Sequence, residues 1–272
     1  MAAVSAVEAE ARVAAGADSA AAIPAAAARP PIGNLNMDDL KELVSKLERS
    51  FADRLVSVIL YGSAAGADHH AKFSDLNVFV VLKEITPREL GEAEPILRWW
   101  REHKHPAPTI MSEEEAHHSA DCFPIEFRDM KDRRKLLYGI DVVEEVTIDG
   151  KYYRAQVEHE LRAKLFRLRQ QGARVLSDPV ELMKLCVDSV ATFCVLGRHA
   201  LVVAGIEAKT ERRAVVHQLS EVLKMDVTPF EVLLDVREDR AGREIGDPGE
   251  LFANYLDCIR RIIEFVDRLE AA

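Results

Sequence analysis

The sequence predicts an α+β chain in which a small mixed β-sheet with flanking helices is followed by an all-α helical bundle. Three observations lead there. Two short apolar runs, Arg54 to Tyr61 and Val78 to Leu82, have strand length and are rich in Val, Ile and Leu. A proline-led helical segment and another short apolar run, Thr109-Ile110-Met111, follow them. From about Tyr152 onward the apolar spacing is helical throughout.

With 272 residues, of which 48% are hydrophobic, the chain can bury a sizeable core. It divides into a flexible or partly helical Ala-rich leader at 1–35, a sheet-bearing domain at 36–150 and a helical domain at 151–272. The leader holds Pro24, Pro30 and Pro31 and lacks the basic start and long apolar core of a secretory signal. The four cysteines, Cys122, Cys186, Cys194 and Cys258, are scattered in apolar segments. That pattern suits buried thiols in a reducing cytoplasm better than a disulfide framework. No segment approaches the roughly 18 consecutive apolar residues of a membrane span, so no membrane partner is expected. The net charge of −10 argues against a nucleic-acid partner, whose phosphates call for a basic face.

Taken in order, Asn36 is an N-cap candidate for an amphipathic helix with Leu40, Leu43, Leu47 and Phe51 on one face. In the first strand Val56, Val58 and Leu60 alternate onto one side. Gly62 permits a tight turn, and Ser63-Ala64-Ala65 opens a helix capped by Ser63. The second strand places Asp75 and Asn77 on one face and Leu76, Val78 and Val80 on the other, and it is apolar on both faces beyond Val78. Thr86-Pro87 starts a helix running through Trp99 and Trp100. Phe123-Pro124-Ile125-Glu126-Phe127 is expected as a strand with one acid, and Asp129 and Asp132 as members of a solvated helix start. Val157, Leu161, Leu165 and Leu168 form the first bundle stripe. Ser177-Asp178-Pro179 caps a helix apolar nearly all round from Val180 to Ala204, the expected centre of a four- or five-helix bundle. Thr228-Pro229 and Asp247-Pro248 mark later starts, the last with Leu251, Tyr255, Ile259, Ile262 and Val266 on one face.

The chemistry concentrates at Leu60-Tyr61-Gly62-Ser63 and Ser74-Asp75-Leu76-Asn77. A Gly-Ser turn at a strand exit offers free backbone N–H groups for a phosphate. Oxygens two residues apart on a strand can share one hard cation. Glu126, costly to bury alone, is expected to face a cation or solvent. The histidines His69-His70, His103, His105 and His117-His118 lack zinc-site spacing and are expected in loops and on the surface. Glu158, His159 and Glu160 on the first bundle helix are expected to be solvated helix charges.

On Gly62-Ser63, Asp75 and Glu126 the chain resembles the DNA polymerase beta-like nucleotidyltransferase superfamily, in particular its kanamycin-type branch acting on small molecules. That signature is Gly-Ser, about ten residues, Asp-X-Asp and a later carboxylate, and the resemblance spans roughly residues 50 to 145. Asn77 stands where the second Asp is usual. The resemblance implies Gly62 and Ser63 at the phosphates, and Asp75, Asn77 and Glu126 as ligands of Mg²⁺. It also implies Asp75 and Glu126 as catalytic groups and transfer of a nucleoside monophosphate from a nucleoside triphosphate such as ATP to a hydroxyl. The acceptor would be a small antibiotic-like molecule or a protein, with pyrophosphate released. A bundle after such a domain commonly supplies acceptor binding or a homodimer contact. The charge lost at Asn77 motivates an alternative, a catalytically impaired nucleotide-binding, regulatory or interaction protein of the same fold, and toxin–antitoxin components share the Gly-Ser and Asp-X-Asp signature.

Overall fold

The structure, a computed structural model, describes residues 37–65, 76–240 and 246–269. The leader, Asn36, and the segment holding His69, His70, Ser74 and Asp75 lie outside the described residues.

Helix α1 (Met37–Phe51) buries Leu40, Leu43, Leu47 and Phe51, the stripe expected from a 3.6-residue repeat. It leads into β1 (Leu55–Tyr61), the centre of a four-stranded mixed sheet of order β3-β2-β1-β4. β2 (Asn77–Leu82) and β4 (Arg134–Gly139) both run antiparallel to β1, while β3 (Thr109–Ser112) runs parallel to β2. The parallel pair is joined by α2 (Pro87–Glu102), as parallel strands need a long crossover.

Both faces of the sheet are covered, as the apolar β2 run predicts. Val58, Leu60, Leu76, Val78 and Val80 pack with α1 and with Ala93, Ile96 and Trp100 of α2. Ile59, Phe79 and Val81 on the other face meet Ala116 of α3 (Glu113–His118) and Phe127 and Met130 of α4 (Pro124–Asp132). Val56 departs from expectation, because the register slips between Leu55 and Ser57 and turns its side chain toward the second face. Thr86 caps α2 in a reciprocal box with Glu89. Arg54, just before β1, bonds the carboxylates of both Glu89 and Glu92, fastening α2 to the strand.

The expected strand at Phe123–Phe127 is a helix, α4. Pro124 sits at its first position, where the missing N–H costs nothing, and Phe127 and Met130 at helical spacing are buried. The fourth strand is instead β4, whose mixed Arg134-Lys135-Leu136-Leu137-Tyr138-Gly139 lies at the sheet edge.

The helical half comprises α5 (Gly150–Val175), α6 (Pro179–Val203), α7 (Arg212–Leu223), α8 (Thr228–Arg237) and α9 (Pro248–Arg268). Asp178 caps α6 and Asp247 caps α9, each just before a proline at the first helical position. α6 touches each of the other four helices, which explains its apolar residues on nearly every side. Cys186, Cys194 and Cys258 are buried free thiols, but Cys122 is exposed at the approach to α4. His105 is likewise not a surface residue: it is buried on Trp100 and bonded to Asp39 at 2.9 Å. Among the described residues no helix is long and apolar enough to cross a membrane.

Candidate functional site

Tyr61 ends β1 directly opposite Asn77, the first residue of β2. Gly62 then turns at φ +79°, a left-handed conformation that glycine adopts without strain. A Cβ added there would stand 3.2 Å from Asn77 Nδ2, so the turn and the polar strand head are neighbours. The backbone continues from Gly62 to Ala65 as a 3-10 turn rather than the α-helix expected of a Ser63 cap. The Gly62 N–H is already engaged, donating to the Arg133 carbonyl at 3.0 Å. An incoming phosphate would therefore meet the N–H groups that follow it, and Gly62 contributes shape. The Ser63 side chain, like Asp75, is outside the described residues.

Alternation places Asn77 on the face of Phe79 and Val81. That face is covered by α4, which packs against the 62–65 turn and against α5. Glu126 lies in the first turn of α4, half-buried, and its Oε2 is fully buried with no hydrogen-bond partner among the described residues. Burial pushes its carboxyl up to about 7, and the charges of Asp129 and Glu160 add to the rise. The Tyr61 phenol is pushed up as well, first by burial and then by the Glu126 and Asp129 charges, against a bond with Thr109 of β3 that lowers it. Gly62, Asn77, Tyr61, Glu126 and Glu160 thus converge where the sheet meets the first bundle helix. Glu160 was expected to be a solvated charge; only the packing of α5 on α4 brings it toward Glu126.

Asp129 and Asp132 also differ from expectation, because they face the bundle. Arg198 of α6 bonds both, and the fully buried His199 lies 3.3 Å from Asp129. Burial pushes Asp129 up, but the bonds and charges of His199 and Arg198 outweigh it and hold the carboxylate below its ordinary range. Nothing in the α6 sequence signals this, since a histidine in an apolar helix ordinarily reads as core.

A Mg²⁺ ion, implied by the resemblance, finds a partial fit. The orphaned Glu126 oxygen and the Asn77 carbonyl are hard ligands of the right type. Among the described residues, however, no group of three His, Cys, Asp or Glu side chains is arranged to hold a metal. β3, the strand beside β2, offers Thr109 and Ser112 but no carboxylate. Those donors do not complete a site by themselves.

No protein-family model matches the chain, and no curated protein does. Among solved structures it is similar to the spectinomycin adenyltransferase AAD(9) from Enterococcus faecialis, crystallised with ATP and spectinomycin. The superposition has a TM-score of 0.54 at 15% identity and covers 84% of this chain and 99% of that one. At that identity the likeness is one of fold. It extends through both the sheet and the helices and gives this chain the α+β fold of that structure.

Proposed function

We propose that this chain binds a nucleoside triphosphate beside the Gly62 turn and transfers its nucleoside monophosphate to a hydroxyl of a small antibiotic-like molecule or a protein, with release of pyrophosphate. The observation that carries the proposal is the buried, unpartnered Glu126 oxygen on the helix packed against that turn. A carboxyl that burial lifts to about 7 suits the removal of a proton from an attacking hydroxyl. In this reading the N–H groups after Gly62 receive the phosphates, with Ser63 beside them. Asn77, Glu126 and, from the sequence, Asp75 would supply oxygens for Mg²⁺, which when bound would neutralise the triphosphate. Glu126 accepts the acceptor's proton. The neighbour's bound ATP and spectinomycin support a nucleotide and a small molecule as partners.

A transfer assay with α-labelled nucleoside triphosphates and a panel of hydroxylated acceptors tests this. Glu126→Gln should lower the transfer rate on the order of 10²-fold, the usual weight of a general base. Undiminished transfer by that variant would refute the role given to Glu126. A second reading, a nucleotide-binding module without transfer, is favoured by Asn77, which lacks the charge of an aspartate at that position. Asn77→Asp separates the two: a large gain in transfer marks a decayed enzyme, and a loss marks Asn77 as a working part.

A further inference from the structure

Asp129 sits one turn beyond Glu126 on α4, and the groups that hold it come from the helical half. Arg198 bonds Asp129 Oδ1 through Nη2 and donates through Nη1 to Asp132 Oδ2 at 3.2 Å. His199 Nε2 lies 3.3 Å from the same Asp129 oxygen and 3.4 Å from Arg198 Nη2. Its Nδ1 is 2.7 Å from Tyr153 Oη on α5, with the two rings edge-on at 89°. Tyr153 is buried and His199 has no exposed surface.

Both ring nitrogens of His199 are partnered, Nδ1 by the Tyr153 hydroxyl and Nε2 by Asp129. This arrangement is expensive to bury unless every member is partnered. An apolar residue would fill the same space in α6 among Leu196, Ala200 and Leu201 at lower cost. The network is therefore not explained by packing of the bundle. What it does is tie α5 and α6 to one point on α4. The helix so held carries Glu126, and the residue after it, Arg133, accepts the Gly62 N–H.

We propose that Tyr153, His199 and Arg198 are positioning residues that hold α4 in one place through Asp129 and so preset Glu126 and the Gly62 turn relative to each other. The proposal rests on the reading of that turn and Glu126 as the working site. None of the three touches the reacting atoms.

Tyr153→Phe, His199→Gln and Asp129→Asn would be compared with Leu233→Ala, a fully buried α8 residue outside the network, under conditions where all four remain folded. Two quantities are read: amide hydrogen exchange at Gly62 and along residues 127–130, and nucleoside triphosphate affinity by titration calorimetry. Losing a buried bond to a charged group should speed exchange at those amides about tenfold or more in His199→Gln and Asp129→Asn, with a smaller rise in Tyr153→Phe. Affinity should weaken by a similar factor. Leu233→Ala, even with a comparable loss of melting temperature, should change neither selectively. If wild-type protein binds no triphosphate, the functional reading fails while the exchange data still judge the positioning. Exchange at Gly62 and α4 that stays at the wild-type rate, or rises only in step with Leu233→Ala, overturns the proposal.

Discussion

Gly62 and Glu126 are the residues on which most depends. At Gly62 a side chain would adopt a left-handed backbone and press on Asn77. Gly62→Ala should lower stability by about 1–2 kcal/mol and weaken triphosphate binding, measured by urea denaturation and calorimetry; unchanged stability would contradict the turn geometry. Glu126 carries a stability cost with a definite sign. Its folded value, about 7, stands above the ordinary 4.5, so the folded state holds the proton more tightly. The associated stability is complete below about pH 4.5 and is lost as pH rises through about 7. Glu126→Gln should therefore match wild type near pH 4 and become the more stable protein above pH 7, by on the order of 1–3 kcal/mol after allowing for partial exposure. Denaturation curves recorded at both ends, with chelator present, check it. A difference that does not change with pH would show that Glu126 is not held protonated.

Among the elements, α2 and α5 make separate predictions. The Thr86 hydroxyl first, and then Arg54, hold Glu89 down at about 2. A depressed carboxylate stabilises above its unfolded value and loses that contribution as pH falls toward 2. Glu89→Gln should lower the melting temperature at pH 7, with the difference from wild type closing as pH approaches 2. On α5, a Cβ at Gly172 would fall 2.4 Å from the Phe252 ring of α9. Gly172→Ala should lose on the order of 1–3 kcal/mol from overpacking, outweighing its gain of about 1 kcal/mol in helix propensity. A stabilised variant would mean that the two helices can part. Much of this level was legible in the sequence, because α1, α2 and α9 announce themselves by capping residues and a one-sided apolar repeat, and α6 by Asp178-Pro179 before a long apolar run. β1 and β2 were legible from short branched runs. The α4 segment was not, since Phe-Pro-Ile-Glu-Phe is too short for its period to separate strand from helix. β4 was hidden by charges that an edge strand tolerates.

At the scale of the whole molecule, the α+β architecture followed from the order of its elements, and the pairing of Gly62 with Asn77 followed from two strands meeting at one end. The junction of the halves was not legible. Tyr153, His199, Arg198 and Asp129 lie up to 70 positions apart, and Glu160 looks like any helix charge until α5 is packed on α4. Periodicity encodes which face of a helix is buried, but not which polar group waits across the gap. In the proposed function this junction receives a nucleoside triphosphate. Titration calorimetry of the four ribonucleoside triphosphates against the folded chain, with and without Mg²⁺, tests that most directly. Saturable binding of one of them, strengthened by Mg²⁺ and weakened in Gly62→Ala, is the predicted result. A folded protein that binds none of the four under either condition would contradict it.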